Sequence, residues 1–156
     1  MMTDRFLAHF NFARLALDLK DPRLGGFLKG RDPIRRIAEG CEGFVWKQEI
    51  GAGEGTVDGD PRLLLSLSVW KSPEALWHFA WNTLHKRFWL RRGDWFEKIA
   101  APTFAMWWVA RDHRPDHAEA WARIDHMRGN GETDFAFGWN FLSERSNRNV
   151  TPVTVE

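Results

Sequence analysis

The most suggestive chemistry in this chain sits on alternating residues near its start. His9 and Asn11 lie two apart in FLAHFNFA (Phe6–Ala13), a segment that alternates as a strand does. Side chains two apart share one face of a strand, so imidazole and amide point the same way, with Leu7 and Ala13 beside them and Phe6, Ala8, Phe10 and Phe12 opposite. Ser66 and Ser68 repeat the pattern in LLLSLSVW (Leu63–Trp70), where Leu64 and Trp70 share their face and Leu63, Leu65, Leu67 and Val69 the other. If these strands are neighbours, the four polar groups form one cluster in mid-sheet. Neutral histidine accepts at one ring nitrogen and donates at the other, which suits a base or a hydrogen-bonding anchor near neutral pH. The plainer alternative is that His9 and Asn11 satisfy each other and a serine, as buried polar groups generally do. The wholly apolar faces are expected against helices, leaving the polar cluster to look out on an open side where a ligand or a second subunit would lie.

His85 is the other candidate. On a helix begun at Pro73, Trp77, Trp81, Leu84 and Phe88 make an apolar stripe, and His85 lies about 40° from Trp81 around the axis. It borders that stripe, either entering a pocket or bonding a backbone carbonyl; His78 lies on nearly the same face. His113 and His117 have the i, i+4 spacing of paired metal ligands, but Pro115 separates them and the metalloprotease glutamate is missing. Asp112 or His113 then reads as a helix cap, and His126 as a charge at a helix C-terminus. No metal site is expected. Trp46, Trp107 and Trp108 fall in strands apolar on both faces and serve as core or as pocket wall.

These groups need a frame. The pattern predicts a strand over 6–13 and a helical region over 22–39, with Asp32-Pro33 the better start. Strands follow at 44–49 and 63–70, separated by the glycine-rich 51–60. Ser72-Pro73-Glu74 opens a helical pattern that runs to about Ala100 with a break near Gly93. A fourth strand spans 103–110 and a last helix runs from Pro115 to about Arg128. Phe135, Phe137, Trp139 and Phe141 alternate as a late extended segment, and 143–156 is loose and polar. The first six elements match the ferredoxin-like split βαβ arrangement, an α+β fold with a four-stranded antiparallel sheet, here with an extra C-terminal helix and tail. One domain over 5–141 with a polar tail at 142–156 is expected.

The chain has 156 residues, enough to bury roughly 70% of its unfolded surface in one core. Lys and Arg number 22 against 21 Asp and Glu, which removes the long-range case for nucleic acid or an anionic membrane as partner. Cys41 is the sole cysteine, so neither an internal disulfide nor a thiolate metal site can form. The N-terminal residues read as no signal peptide, and the longest apolar run, Thr103–Ala110, is about a third of a bilayer span. A cytoplasmic location is the expectation. Ten Trp, twelve Phe and no Tyr make the chain aromatic-rich.

His9-x-Asn11-x-x-Arg14, Asp21-Pro22-Arg23, Gly43-Phe44-Val45-Trp46, Ser68-Val69-Trp70, His85, Trp95-Phe96, Trp107-Trp108-Val109 and His113-Arg114-Pro115 together resemble a bacterial domain-of-unknown-function family in the dimeric α+β barrel superfamily, beside antibiotic-biosynthesis-type monooxygenases. The resemblance covers about residues 5–141. It brings no established catalytic residues. It implies a homodimer whose two sheets form a barrel, and relatives that range from cofactor-free oxygenases to haem enzymes and simple binding proteins. Haem-handling relatives take an axial histidine from a comparable helix, so the resemblance makes His85 a possible iron ligand, with Arg87, Arg91 and Arg92 available to propionates. The reading is then a small-molecule-binding enzyme of cofactor-free monooxygenase type, acting on an apolar or aromatic substrate. His9, Asn11 and His85 are its candidate catalytic residues, and Ser66, Ser68, Trp46, Trp70 and Trp107 line its pocket. A haem protein using His85, or a non-catalytic sensor or assembly module, are the alternatives.

Overall fold

The computed structural model describes residues 5–50, 60–83, 85–100 and 102–146. Four strands, β1 (Arg5–Arg14), β2 (Phe44–Ile50), β3 (Leu63–Trp70) and β4 (Phe104–Ala110), form one antiparallel sheet in the order β2-β3-β1-β4. Between β1 and β2 runs α1 (Gly25–Gly40); between β3 and β4 come α2 (Pro73–Asn82) and the short α3 (His85–Leu90) and α4 (Arg92–Trp95); α5 (His117–Asn130) and α6 (Trp139–Ser146) follow β4. This is the ferredoxin-like split βαβ arrangement, with β1 central beside β3.

Local chemistry places most element ends. Ser72 caps α2, its hydroxyl accepting from the amide of Ala75. Asp116, not Asp112 or His113, caps α5 by accepting from the amide of Glu119. At Gly43 the backbone has φ of +89°, the turn that carries α1 into β2, and a Cβ there would meet Ala75 at 2.5 Å. Three expectations are corrected. Asp32-Pro33 does not start α1, which begins after a capped 3-10 turn at Pro22–Leu24 and runs through Pro33. Packing of Phe27 on Trp95 and Phe96 holds the earlier turns. The pattern from Pro73 is not one helix broken near Gly93: it ends at Thr83, resumes at His85 and stops at Trp95. The late aromatic segment is extended only at Ala136 and Phe137, which bridge Thr133 and Met106; Trp139 and Phe141 belong to α6, which spans Trp139–Ser146.

The sheet has two differently built faces. Ala8, Phe10, Phe12, Leu65, Leu67, Val69, Ala105, Trp107 and Val109 form one, packed with Ala120 and Ile124 of α5. Leu7, Trp70 and Met106 belong to the other, covered by Ala38 of α1, Leu76 and Phe79 of α2, and Trp139 and Leu142 of α6. His9 and Asn11 have the parity of Leu7. The expectation that the polar cluster looks out on an open side is therefore overturned: it faces the α1–α2 layer, and α5 lies on the wholly apolar face. Both crossovers of a split βαβ unit land on one side of the sheet, and here that side is the one bearing the polar residues.

Candidate functional site

The register supplies the site. Across β3 and β1, Ser68 pairs with His9 and Ser66 with Asn11, as strand parity predicts. Lys47 pairs with Ser68 on one side, and His9 with Met106 on the other. One row across the sheet thus reads Lys47, Ser68, His9, Met106. The next reads Glu49, Ser66, Asn11, Phe104. On either side of these rows the same face is apolar. Leu7 and Trp70 lead into the cluster beneath α1, α2 and α6. Leu15 and Leu64 lead into a separate one with Leu24, Phe27 and Trp95. The polar rows interrupt what would otherwise be one continuous core, beneath helices that should seal it.

Within the rows, hydrogen bonding is incomplete. Ser68 is 4% exposed, and its oxygen accepts from the indole nitrogen of Trp70 at 3.0 Å. His9, Asn11 and Ser66 are half-buried, and among the described residues their side chains have no hydrogen-bond partner. Among the described residues the buried side-chain atoms without a hydrogen-bond partner include Trp81 Nε1, Trp95 Nε1, His117 Nε2, Trp121 Nε1 and Arg123 Nε. None of these atoms belongs to His9, Asn11 or Ser66, all three of which are half-buried. Fully buried polar groups are nearly always paired; these three, being half-buried, leave their hydrogen-bonding capacity to whatever reaches them.

Aromatic rings wall that place. Phe104 lies 5.8 Å from the His9 ring, and Phe79 lies 4.9 Å from His85 and stacks at 5.4 Å on Trp70. Lys47 Nζ stands 6.0 Å from the Phe79 ring centre. His85 hydrogen-bonds through Nδ1 to the Ala80 carbonyl at 3.1 Å. A carbonyl only accepts, so Nδ1 carries the proton and Nε2 keeps its lone pair. Burial pushes the His9 pKa down to about 3, helped by the like charges of His85 and Lys47. Burial lowers that of His85 too, against the Ala80 hydrogen bond, with Lys47 adding to the lowering. Both imidazoles are neutral at physiological pH.

Of the residues expected here, the structure brings together His9, Asn11, Ser66, Ser68 and Trp70 on one face, with His85 close enough to His9 to shift it. Trp46 and Trp107 are excluded. Trp107 pairs with Ala8, so it lies on the α5 face, where its indole donates to Glu119 at 2.9 Å. Trp46 packs on that face as well. A bulge between Phe44 and Trp46 adds a residue to β2 and reverses its parity, so Phe44 and Lys47, not Phe44 and Trp46, share a side. Parity along the unbulged sequence would hide Lys47. Phe79 and Phe104 were likewise missed, being indistinguishable from core aromatics until the register is known.

Two of the other histidines have side-chain oxygen partners. His113 bonds Glu119 at 2.7 Å beside a cleft of about 530 Å³ at the β4 edge, and His126 bonds the Thr133 hydroxyl at 2.8 Å. Among the described residues no group of three or more His, Cys, Asp or Glu could hold a metal ion. Nor is any described helix long and apolar enough to cross a membrane.

A family model described as Domain of unknown function (DUF3291) matches residues 6–152. Among curated proteins none matches the sequence. Solved structures share the fold at low identity. PA3566 from Pseudomonas aeruginosa is 12% identical, with a TM-score of 0.50 over 71% of this chain and 98% of that one. A conserved protein from Methanosarcina mazei Go1 is 12% identical, with a TM-score of 0.51 over 68% and 94%. A candidate antibiotic biosynthesis monooxygenase from Nitrosomonas europaea is 13% identical, with a TM-score of 0.46 over 71% and 93%.

Proposed function

The chain belongs to the DUF3291 family, a domain of unknown function, and from the polar rows beneath its helices we propose that it binds a small apolar or aromatic molecule there and acts on it. The observation that carries this reading is the set of unpaired but accessible side chains, His9, Asn11 and Ser66, between two apolar clusters. Asn11 and Ser66 would hold the polar edge of the substrate, while Phe79, Phe104 and Trp70 hold its apolar body. His9 would receive a proton at its free lone pair, the electron pair staying on the substrate. Because the His9 imidazolium is disfavoured, this transfer proceeds only while the substrate anion remains beside it. Dioxygen is the oxidant in a cofactor-free oxygenation. A methylene going to a carbonyl balances, CH2 + O2 giving C=O + H2O.

A library of aromatic and quinone-type compounds tests the reading by thermal shift, since a ligand of the native state raises the melting temperature. Hits lost in a folded His9→Ala variant support it; no hit in the library overturns it. Oxygen consumption with the hits then separates an enzyme from a sensor.

The His85 tautomer favours a second reading. A histidine whose Nδ1 proton is held by a backbone carbonyl presents Nε2 as a metal ligand, which an axial haem histidine requires. The arginines fit less well, because Arg91 pairs with Asp94 at 3.0 Å and Arg92 lies 3.4 Å from the Trp89 ring. Haem titration followed at the Soret band decides, a band that survives His85→Ala counting against this ligand. The homodimer is proposed through the outer side of β2 and β3, where Val45, Trp46 and Leu63 are only half-buried. Sedimentation of Trp46→Glu as a monomer, against a dimeric parent, is the expected result.

A further inference from the structure

The break between α2 and α3 is a joint held by three hydrogen bonds, and His85 takes part in two of them. A helix leaves its last carbonyls without backbone partners. Here side chains take two of them. The Thr83 hydroxyl donates to the Phe79 carbonyl at 2.5 Å, and His85 Nδ1 donates to the Ala80 carbonyl at 3.1 Å. The same hydroxyl accepts from the backbone amide of His85 at 3.2 Å. One oxygen therefore ties the last turn of α2 to the first residue of α3. Thr83 itself is extended, with φ of −127° and ψ of −175°, a conformation that suits a β-branched residue. In a continuous helix the Ala80 carbonyl would accept from a backbone amide four residues on, and not from a ring. The break frees that carbonyl, and Thr83 sets the start of α3 where the His85 ring can reach it. Phe79 lies 4.9 Å from the ring, and burial keeps the imidazole neutral. Which nitrogen of a neutral imidazole carries the proton is set by the bond its ring makes.

We propose that Thr83 is a positioning residue: its hydroxyl fixes His85 against the Ala80 carbonyl, keeps the ring proton on Nδ1, and so leaves Nε2 as a lone pair for a ligand. Thr83 acts through His85. The consequence for a ligand rests on the reading of His85 as a site residue given above; the tautomer does not. Both uses considered for His85, taking a proton from a bound molecule and ligating iron, need the Nε2 lone pair, so Thr83 bears on either.

Nitrogen NMR of the full chain, carrying isotope-labelled histidine, tests this at pH 7, because a protonated ring nitrogen and one with a lone pair resonate far apart. His85→Gln identifies the His85 signals. In the parent, His85 should show Nδ1 protonated and Nε2 bare. Thr83→Val keeps the branched shape and removes the hydroxyl; the two His85 nitrogens should then move toward each other as the tautomers mix, while His113 and His126 keep their shifts. Thr83→Ser should restore the parent pattern. A proton on Nε2 in the parent, or an unchanged His85 pattern in folded Thr83→Val, overturns the proposal. Where Thr83→Val does not fold, the parent decides: a Thr83 hydroxyl proton protected from exchange, with a cross-peak to the His85 amide, is expected, and a freely exchanging one overturns the joint. Haemin titration separates the tautomer from the site. A Soret band in the parent whose affinity falls about tenfold in Thr83→Val, the usual cost of losing a ligand's outer-shell partner, supports the role of Thr83 at a bound metal. Equal affinity in the two overturns that role. No band in the parent removes the iron reading of His85, and the nitrogen shifts still decide the proposal.

Discussion

The two faces of this sheet are built from the same strands and obey the same period of two, yet one is sealed and the other is not. On the α5 face Phe10, Leu67 and Trp107 are fully buried, and the potentially awkward indole of Trp107 is answered by Glu119. On the α1–α2 face burial is just as complete at Leu7, Trp70 and Met106, then gives way for two rows to histidine, asparagine and serine, of which only Ser68 has a side-chain partner among the described residues. A sheet face needs no polar groups to pack on helices. Polar groups under such a roof cost stability that apolar residues would not unless they are hydrogen-bonded. The comparison teaches that the outer rows are packed as core on both faces, while on the α1–α2 face the middle rows are not.

Breaking the sealed face should have the largest effect. Phe10→Ala removes a ring in contact with Trp121 at 5.2 Å and should cost about 3–5 kcal/mol, read by urea denaturation. Next is acid. The His9 pKa lies near 3 in the folded chain and near 6.5 when unfolded, so below pH 6.5 the unfolded state takes up a proton that the folded state does not. Stability should therefore fall from pH 6.5 toward pH 3, by about 1.4 kcal/mol per unit from this group, and level off below. His85 and His117 shift in the same direction and add to the slope. Denaturation curves at pH 7, 5.5 and 4.5 measure it, and an unchanged slope in His9→Leu would assign it elsewhere. Smaller still is Gly30→Ala. A Cβ there would lie 1.7 Å from the Phe88 ring, where α3 crosses α1, so the ring must move, at about 1–3 kcal/mol. The smallest effect should come from His9→Leu at pH 7. Replacing a neutral, unpaired imidazole by an apolar side chain should leave stability within about 1 kcal/mol or raise it, while abolishing ligand binding. A loss comparable to Phe10→Ala would show that the two faces are not different after all.

Much of this was legible in the chain. The alternation around His9 and Ser66 placed four polar groups in two adjacent pairs, and the register reproduces those pairs. Ser72-Pro73 announced α2. The family likeness carried the fold. Less legible were features that depend on contacts distant in sequence. No local signal distinguishes Trp107 from Trp108, which face opposite ways because Trp107 pairs with Ala8 and Trp108 with Leu7. The β2 bulge, which exchanges Trp46 for Lys47 on the site's side, is invisible in FVWKQE. The gap between α2 and α3 puts His85 on a new helix, so its position on an ideal continuous helix did not apply.

By itself the sequence determined which side chains travel together, because the pleat of a strand admits no other grouping of alternate residues. What only the tertiary structure decided was which group would be covered, and by what. Each face can be buried. Which one is roofed by α1 and α2 depends on the handedness of two crossovers and on α5 crossing to the other side, and neither choice is written in any short stretch of residues.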